Sequence, residues 1–184
     1  MPRKLRVDFP GAVHHVNGRG NNRMIVFHSD EDREMFLDLV GKEILLQKWK
    51  CFEYALMDNH YHFLLESCGN LATGMKNICG IFTQRINRKY DRSGHVFQGR
   101  YGSVLVNSNP HLFELARYIV LNPTKAGLVK RPEDYKWSSY RAMIGLEKPP
   151  EWLDVSWIVN CVGDGSKDPR SVYKKYVEES IFLA

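Results

Sequence analysis

The order of periodic segments along this chain predicts an α+β fold. It reads as a ferredoxin-like, split βαβ antiparallel sheet with helices on one face, followed by a C-terminal extension of helices and loops. Two stretches repeat apolar residues every three or four positions, which marks amphipathic helices. Each lies between stretches of alternating or β-forming residues, and Asp58-Asn59 separates two of these by a turn short enough for a tight hairpin. The resulting order is strand, helix, strand, strand, helix, strand, helix. Its first six elements leave one sheet face for helices and the other for a ligand.

Residues 13–19 (VHHVNGR) read as the first strand, ending in Gly18-Arg19-Gly20-Asn21-Asn22, residues that tolerate left-handed backbone. Ser29 offers an N-cap, with Asp30, Glu31 and Asp32 in the first turn of a helix over 30–47. Phe36, Leu37, Val40, Ile44 and Leu45 form its apolar stripe. Residues 49–57 form the second strand, with Phe52, Tyr54 and Leu56 alternating, and residues 60–67 the third. Leu71, Met75, Ile78, Phe82 and Ile86 predict a helix over 71–90. A further strand lies within 95–107, centred on Val104-Leu105-Val106. A short helix over 110–121 starts at Pro110 and ends before Pro123. Beyond about Glu133, aromatic residues such as Trp137, Tyr140 and Tyr173 suggest helices and loops packed on the rest.

The chain has 184 residues, a formal net charge of +5 and a 43% apolar fraction, as a soluble domain with a polyanionic partner would have. Cys51, Cys68, Cys79 and Cys161 form no Cys-x-x-Cys pair, and they read as free thiols in a reducing compartment. No apolar run reaches the length of a membrane span, and no apolar signal core follows the basic residues Arg3 and Lys4. A cytoplasmic location without membrane contact is the expectation.

The chemistry-bearing feature is His60-Tyr61-His62. On a strand, residues two apart share a face, so His60 and His62 project together while Tyr61, Phe63 and Leu65 face the helices. Two imidazoles so placed can bind one divalent ion and leave positions for other ligands. Two ordinary strand histidines would give the same pattern. A metallo-hydrolase of the His-x-His-x-Asp-His type and a histidine-triad hydrolase both conflict with Leu64 and Leu65, and a two-histidine phosphoesterase lacks its second His-x-Ser/Thr. A nucleophile must then come from elsewhere. Tyr118 and Asn122 are four apart and share a helix face, Asn122 in the last turn with an amide oxygen able to complete a metal site. A packing tyrosine and a terminal asparagine would also explain them.

MDNHYHFLLE at 57–66 and RYIVLNPTKAGLV at 117–129 resemble the single-tyrosine HUH transposases, and most closely the REP-associated tyrosine transposases. FPGAVHHVNGRGNNR near the N-terminus, FQGRYGSVLV at 97–106 and YKWSSYRA at 135–142 fit the same family. The resemblance spans roughly residues 2–145, which implies a catalytic domain over 1–145 and an extension over 146–184. It implies His60 and His62 as metal ligands, Tyr118 as the nucleophile, and Asn122 in the place of a polar third ligand. The implied cofactor is Mg²⁺ or Mn²⁺, and the implied activity is cleavage and rejoining of single-stranded DNA beside hairpins such as REP-like repeats, through a 5′-phosphotyrosine. Asn17, Arg19, Asn21, Arg23, Arg100 and Tyr101 are the candidate DNA contacts, with Tyr101 able to stack on a base. A monomer is expected, with a dimer that shares its active sites as the alternative. The competing reading is a non-catalytic module that binds a nucleic-acid sequence or hairpin on the same sheet.

Overall fold

The computed structural model describes residues 7–181, so Arg3 and Lys4 lie outside it. A four-stranded antiparallel sheet is built from β1 (Pro10–Arg19), β2 (Lys50–Leu56), β3 (His60–Cys68) and β4 (Gly102–Leu105), in the order β2-β3-β1-β4. The helices α1 (Asp30–Gln47) and α2 (Leu71–Lys89) connect β1 to β2 and β3 to β4. This is the split βαβ order expected from the sequence. The helices α3 (Asn109–Lys125), α4 (Tyr140–Met143), α5 (Ser156–Gly163) and α6 (Pro169–Glu178) follow.

The two connecting helices form because each buries one stripe against the sheet. Phe36, Val40 and Ile44 of α1 meet Met75, Ile78, Phe82 and Ile86 of α2 over Tyr61, Phe63 and Leu65 of β3. Leu45, expected in that stripe, is 59% exposed. The start of α1 is held by Asp32, whose carboxylate accepts from the backbone N–H groups of His28 at 2.8 Å and Ser29 at 3.1 Å.

Three local expectations are corrected. A bulge between Cys51 and Glu53 breaks the alternation of β2, so Phe52 faces the side opposite Tyr54 and Leu56. The first strand ends at Arg19 as expected, but of the stretch Gly18-Arg19-Gly20-Asn21-Asn22 only Asn22 is left-handed, followed by Arg23. The helix α3, expected to end before Pro123, runs through it to Lys125. Proline removes one backbone donor there, but it sits in the final turn, and the buried Ile119, Val120, Leu121 and Pro123 hold that turn down.

The face away from α1 and α2 carries a second core. Leu112, Ala116, Ile119 and Val120 of α3 pack with Phe52, Ala55 and Leu64 of the sheet, and Tyr140, Ile158, Val159, Tyr173 and Val177 complete the layer. Helices therefore cover the β2 side of this face. The ends of β1 and β3 nearest His60, together with the segment before β4, are left beside a cleft. The outer edge of β2 is closed by the chain around Ser139, whose backbone N–H donates to Tyr54 O at 3.0 Å.

Candidate active site

Three elements meet at the cleft. In β1, Asn17 and Arg19 lie opposite His62 and His60 of β3, and all four side chains share the face away from α1. Tyr118 and Asn122, one turn apart on α3, reach the same place from the flank. The cleft encloses about 280 Å³ and is lined by Asn17, Gly18, Arg19, His60, His62 and Tyr118. Gly18 faces the opposite way. A Cβ there would sit 2.5 Å from the ring of the fully buried Tyr61, so any larger residue would strain the pairing of β1 and β3 at this point.

The structure brings four of the residues named from sequence into one cluster. His60 Nε2 is 3.2 Å from Asn122 Oδ1, and the His60 and His62 rings are 5.1 Å apart at 88°. The Tyr118 ring stands edge-on to His62 at 5.5 Å and to His15 at 6.2 Å, and it is 40% exposed. Lys125 Nζ lies 5.9 Å from the Tyr118 ring centroid.

Burial keeps the imidazoles neutral. Burial, followed by the neighbouring His15 and His60, pulls His62 down to about 3. His60 is lowered too, chiefly by burial, against an opposing contact with Asn122. Burial and then His111 lower His15 to about 4. Neutral imidazoles are what a metal ion requires.

The donor atoms fit a divalent cation. A neutral His60 has one N–H, yet its two nitrogens face two amide oxygens, Asn59 Oδ1 at 2.7 Å and Asn122 Oδ1 at 3.2 Å. With the hydrogen on the Asn59 side, a lone pair and an amide oxygen converge at the cleft. Two cis ligands of an octahedral ion at about 2.1 Å stand roughly 3 Å apart, close to that separation. His62 Nε2 is buried and has no hydrogen-bond partner. Among the described residues no three His, Cys, Asp or Glu side chains form a closed metal group. Two imidazoles and an amide oxygen instead make an open, mixed set that leaves positions for water or a phosphate oxygen.

The candidate DNA contacts divide. Asn17 and Arg19 line the cleft itself. They also line an adjoining cleft of about 380 Å³ with Gln98, Arg100 and Tyr101. Tyr101 is only 8% exposed and belongs to the main core, so an open stacking platform is not what it presents. Asn21 and Arg23 line neither cleft. They occupy the turn packed on the β2–β3 connection, where Asn59 Nδ2 donates to Arg23 O at 3.0 Å. Sequence reasoning passed over Asn59 and His111 at the site, and it placed His15 on the right strand face without giving it a role. For His15 the signal was present, because alternation sets it on the same face as Asn17 and Arg19.

The model of the IS200-like transposase family matches residues 11–122. A search of solved structures returns a REP-associated tyrosine transposase bound to a REP hairpin, with a TM-score of 0.69 at 16% identity over 85% of this chain and 91% of that one. It also returns a candidate transposase from Deinococcus radiodurans R1, with a TM-score of 0.45 at 16% identity over 64% of this chain and 95% of that one. A tRNA(His) guanylyltransferase from Saccharomyces cerevisiae scores 0.48 at 12% identity over 99% and 80%. Comparison with curated protein sequences finds no match. Among the described residues no helix is long and apolar enough to cross a membrane.

Proposed function

Because the chain belongs to the IS200-like transposase family, we propose that it is a metal-dependent endonuclease and strand transferase for single-stranded DNA, nicking and rejoining strands beside hairpins through a 5′-phosphotyrosine. One observation carries this reading. His60 and His62 from a strand and Tyr118 from a distant helix line a single cleft, and Asn122, one turn along that helix, reaches His60. A packing tyrosine or a structural histidine pair gives no reason for a lone pair, an amide oxygen and a half-exposed phenol to meet.

His60 Nε2, His62 Nε2 and Asn122 Oδ1 would hold the ion, Mg²⁺ or Mn²⁺. When bound, it offsets charge on the oxygens of the scissile phosphate. Tyr118 supplies the nucleophile. Its phenolic oxygen forms a bond to phosphorus as the bond from phosphorus to the 3′ oxygen breaks. The phenolic proton passes to solvent, and the leaving 3′ oxygen takes a proton from it. The chain is then joined to the 5′ phosphate. A different 3′ hydroxyl can reverse the step and release Tyr118, so strands are joined without ATP. Asn17 and Arg19 lie where the strand would pass the cleft, and Arg100 is exposed in the adjoining one, suited to a phosphate. A hairpin-bearing strand as partner is supported by the REP hairpin bound to the structural relative. Tyr118 lies beside the histidines of its own chain, which favours a monomer acting in cis.

The test incubates end-labelled, hairpin-bearing single-stranded DNA with the protein and Mn²⁺ or Mg²⁺. The expected product is a covalent protein–DNA adduct that Tyr118→Phe abolishes while retaining DNA binding. Tight binding by the wild type with no adduct across a panel of such DNAs would instead identify a non-catalytic binding module.

A further inference from the structure

His15 is the third imidazole at this site, and its contact with His62 decides more than packing. The two residues stand diagonally across β1 and β3, since His62 pairs with Asn17 and His15 with Leu64. Their rings stack at 5.1 Å and 18°, and both are buried. His15 Nε2 lies 2.9 Å from His62 Nδ1. A contact of that length between two ring nitrogens holds one hydrogen, donated by one ring to the other.

The two placements of this hydrogen have different consequences. If His15 donates, a neutral His62 carries its own hydrogen on Nε2, which is buried without a partner. If His62 donates from Nδ1, its Nε2 presents a lone pair in the same position. A buried N–H with no acceptor is of no use to a cation, whereas a lone pair is what a cation takes. His15 is not a competing ligand. Its Nε2 is engaged by His62, and no closed group of three His, Cys, Asp or Glu side chains exists among the described residues.

We propose that His15 is a positioning residue, which accepts the Nδ1 hydrogen of His62 and so fixes the ring and the tautomer that turn His62 Nε2 toward a metal ion. This rests on the metal-site reading above. Asn59 stands in the same relation to His60, at 2.7 Å from its Nδ1. Each histidine of the pair thus has a partner behind it that sets which nitrogen is free.

The experiment reads the tautomer and the metal separately. Long-range ¹H–¹⁵N correlation spectra of the metal-free protein report which nitrogen of His62 bears hydrogen, and Mn²⁺ titration by calorimetry gives the affinity. The variants are His15→Phe, which keeps a stacked ring but has no acceptor, and His15→Gln, which keeps an acceptor. The wild type is expected to show His62 protonated on Nδ1. His15→Phe is expected to lose that preference and to bind Mn²⁺ about 10- to 100-fold more weakly, the usual effect of removing such a partner. His15→Gln should recover part of the affinity, with melting temperatures showing all three proteins folded. A wild-type His62 protonated on Nε2, or unchanged Mn²⁺ affinity in His15→Phe, overturns the proposal. A wild type with the Nδ1 tautomer that binds no Mn²⁺ removes the metal-site reading and the role of His15 toward a metal, while the hydrogen bond itself stands.

Discussion

Glu53→Gln tests the layer that holds α3 over the sheet. Glu53 is fully buried on β2, and its Oε1 accepts from the Tyr173 hydroxyl of α6 at 2.6 Å while Oε2 has no partner. Burial pushes its carboxyl up from 4.5 to about 8, against the opposing hydrogen bond from Tyr173. The folded protein therefore prefers the protonated acid. Stability from this group is fully present below pH 4.5, falls as pH rises, and is lost once pH passes 8. At 1.36 kcal/mol per pH unit, the loss over that window is about 5 kcal/mol. Gln cannot ionise, and its amide oxygen keeps the acceptor for Tyr173. Its NH₂ group enters the place of the unpartnered oxygen, so the variant starts roughly 1–3 kcal/mol lower at pH 5. Urea unfolding followed by circular dichroism at pH 5, 7 and 9 measures both proteins, and the shared effects of all other groups cancel in the difference. Relative to wild type, Glu53→Gln should gain several kcal/mol between pH 5 and pH 9. A difference that stays constant across that range refutes a neutral carboxyl buried under α6. The consequence for function is direct, because α6 packs beside α3, and α3 carries Tyr118 and Asn122.

Two other substitutions probe the β1–β3 pairing and the DNA-facing cleft. Gly18→Ala places a methyl 2.5 Å from the ring of the fully buried Tyr61. Overpacking of this kind costs about 1–3 kcal/mol, so the melting temperature should drop by roughly 2–12 °C in a calorimetric scan, and no drop would mean that β1 and β3 can separate here. Arg100→Ala should weaken binding of single-stranded DNA and reduce the slope of log affinity against log salt by about 0.7, read by fluorescence anisotropy. An unchanged slope would show that Arg100 makes no phosphate contact.

How much of this was legible beforehand can be judged element by element. α1 and α2 announced themselves through apolar residues at helical spacing, because each has to bury one stripe on a sheet. β3 did the same through alternation, with Tyr61, Phe63 and Leu65 in the main core and His60 and His62 on the other face. The bulge at Phe52 was not legible. Alternation is a local rule, and an extra residue in one strand is decided by what lies across the ladder and beneath it. The continuation of α3 through Pro123 was hidden for a similar reason. Local sterics argue for a stop before proline, and the burial that outweighs them comes from residues far away in the chain.

By itself, the sequence determined which residues carry reactive groups and which face of a strand or helix each one shares, because those follow from backbone periods of two and 3.6 residues. Only the tertiary structure decided that the helix face with Tyr118 and Asn122 closes over the strand face with His60 and His62. It decided too that His15 stands behind His62, and that Tyr101 is part of the core instead of an open surface. These are contacts between residues far apart in the chain, such as His60 and Asn122 at a separation of 62 positions. They are set by how two cores pack on opposite sides of one sheet, which no local period encodes.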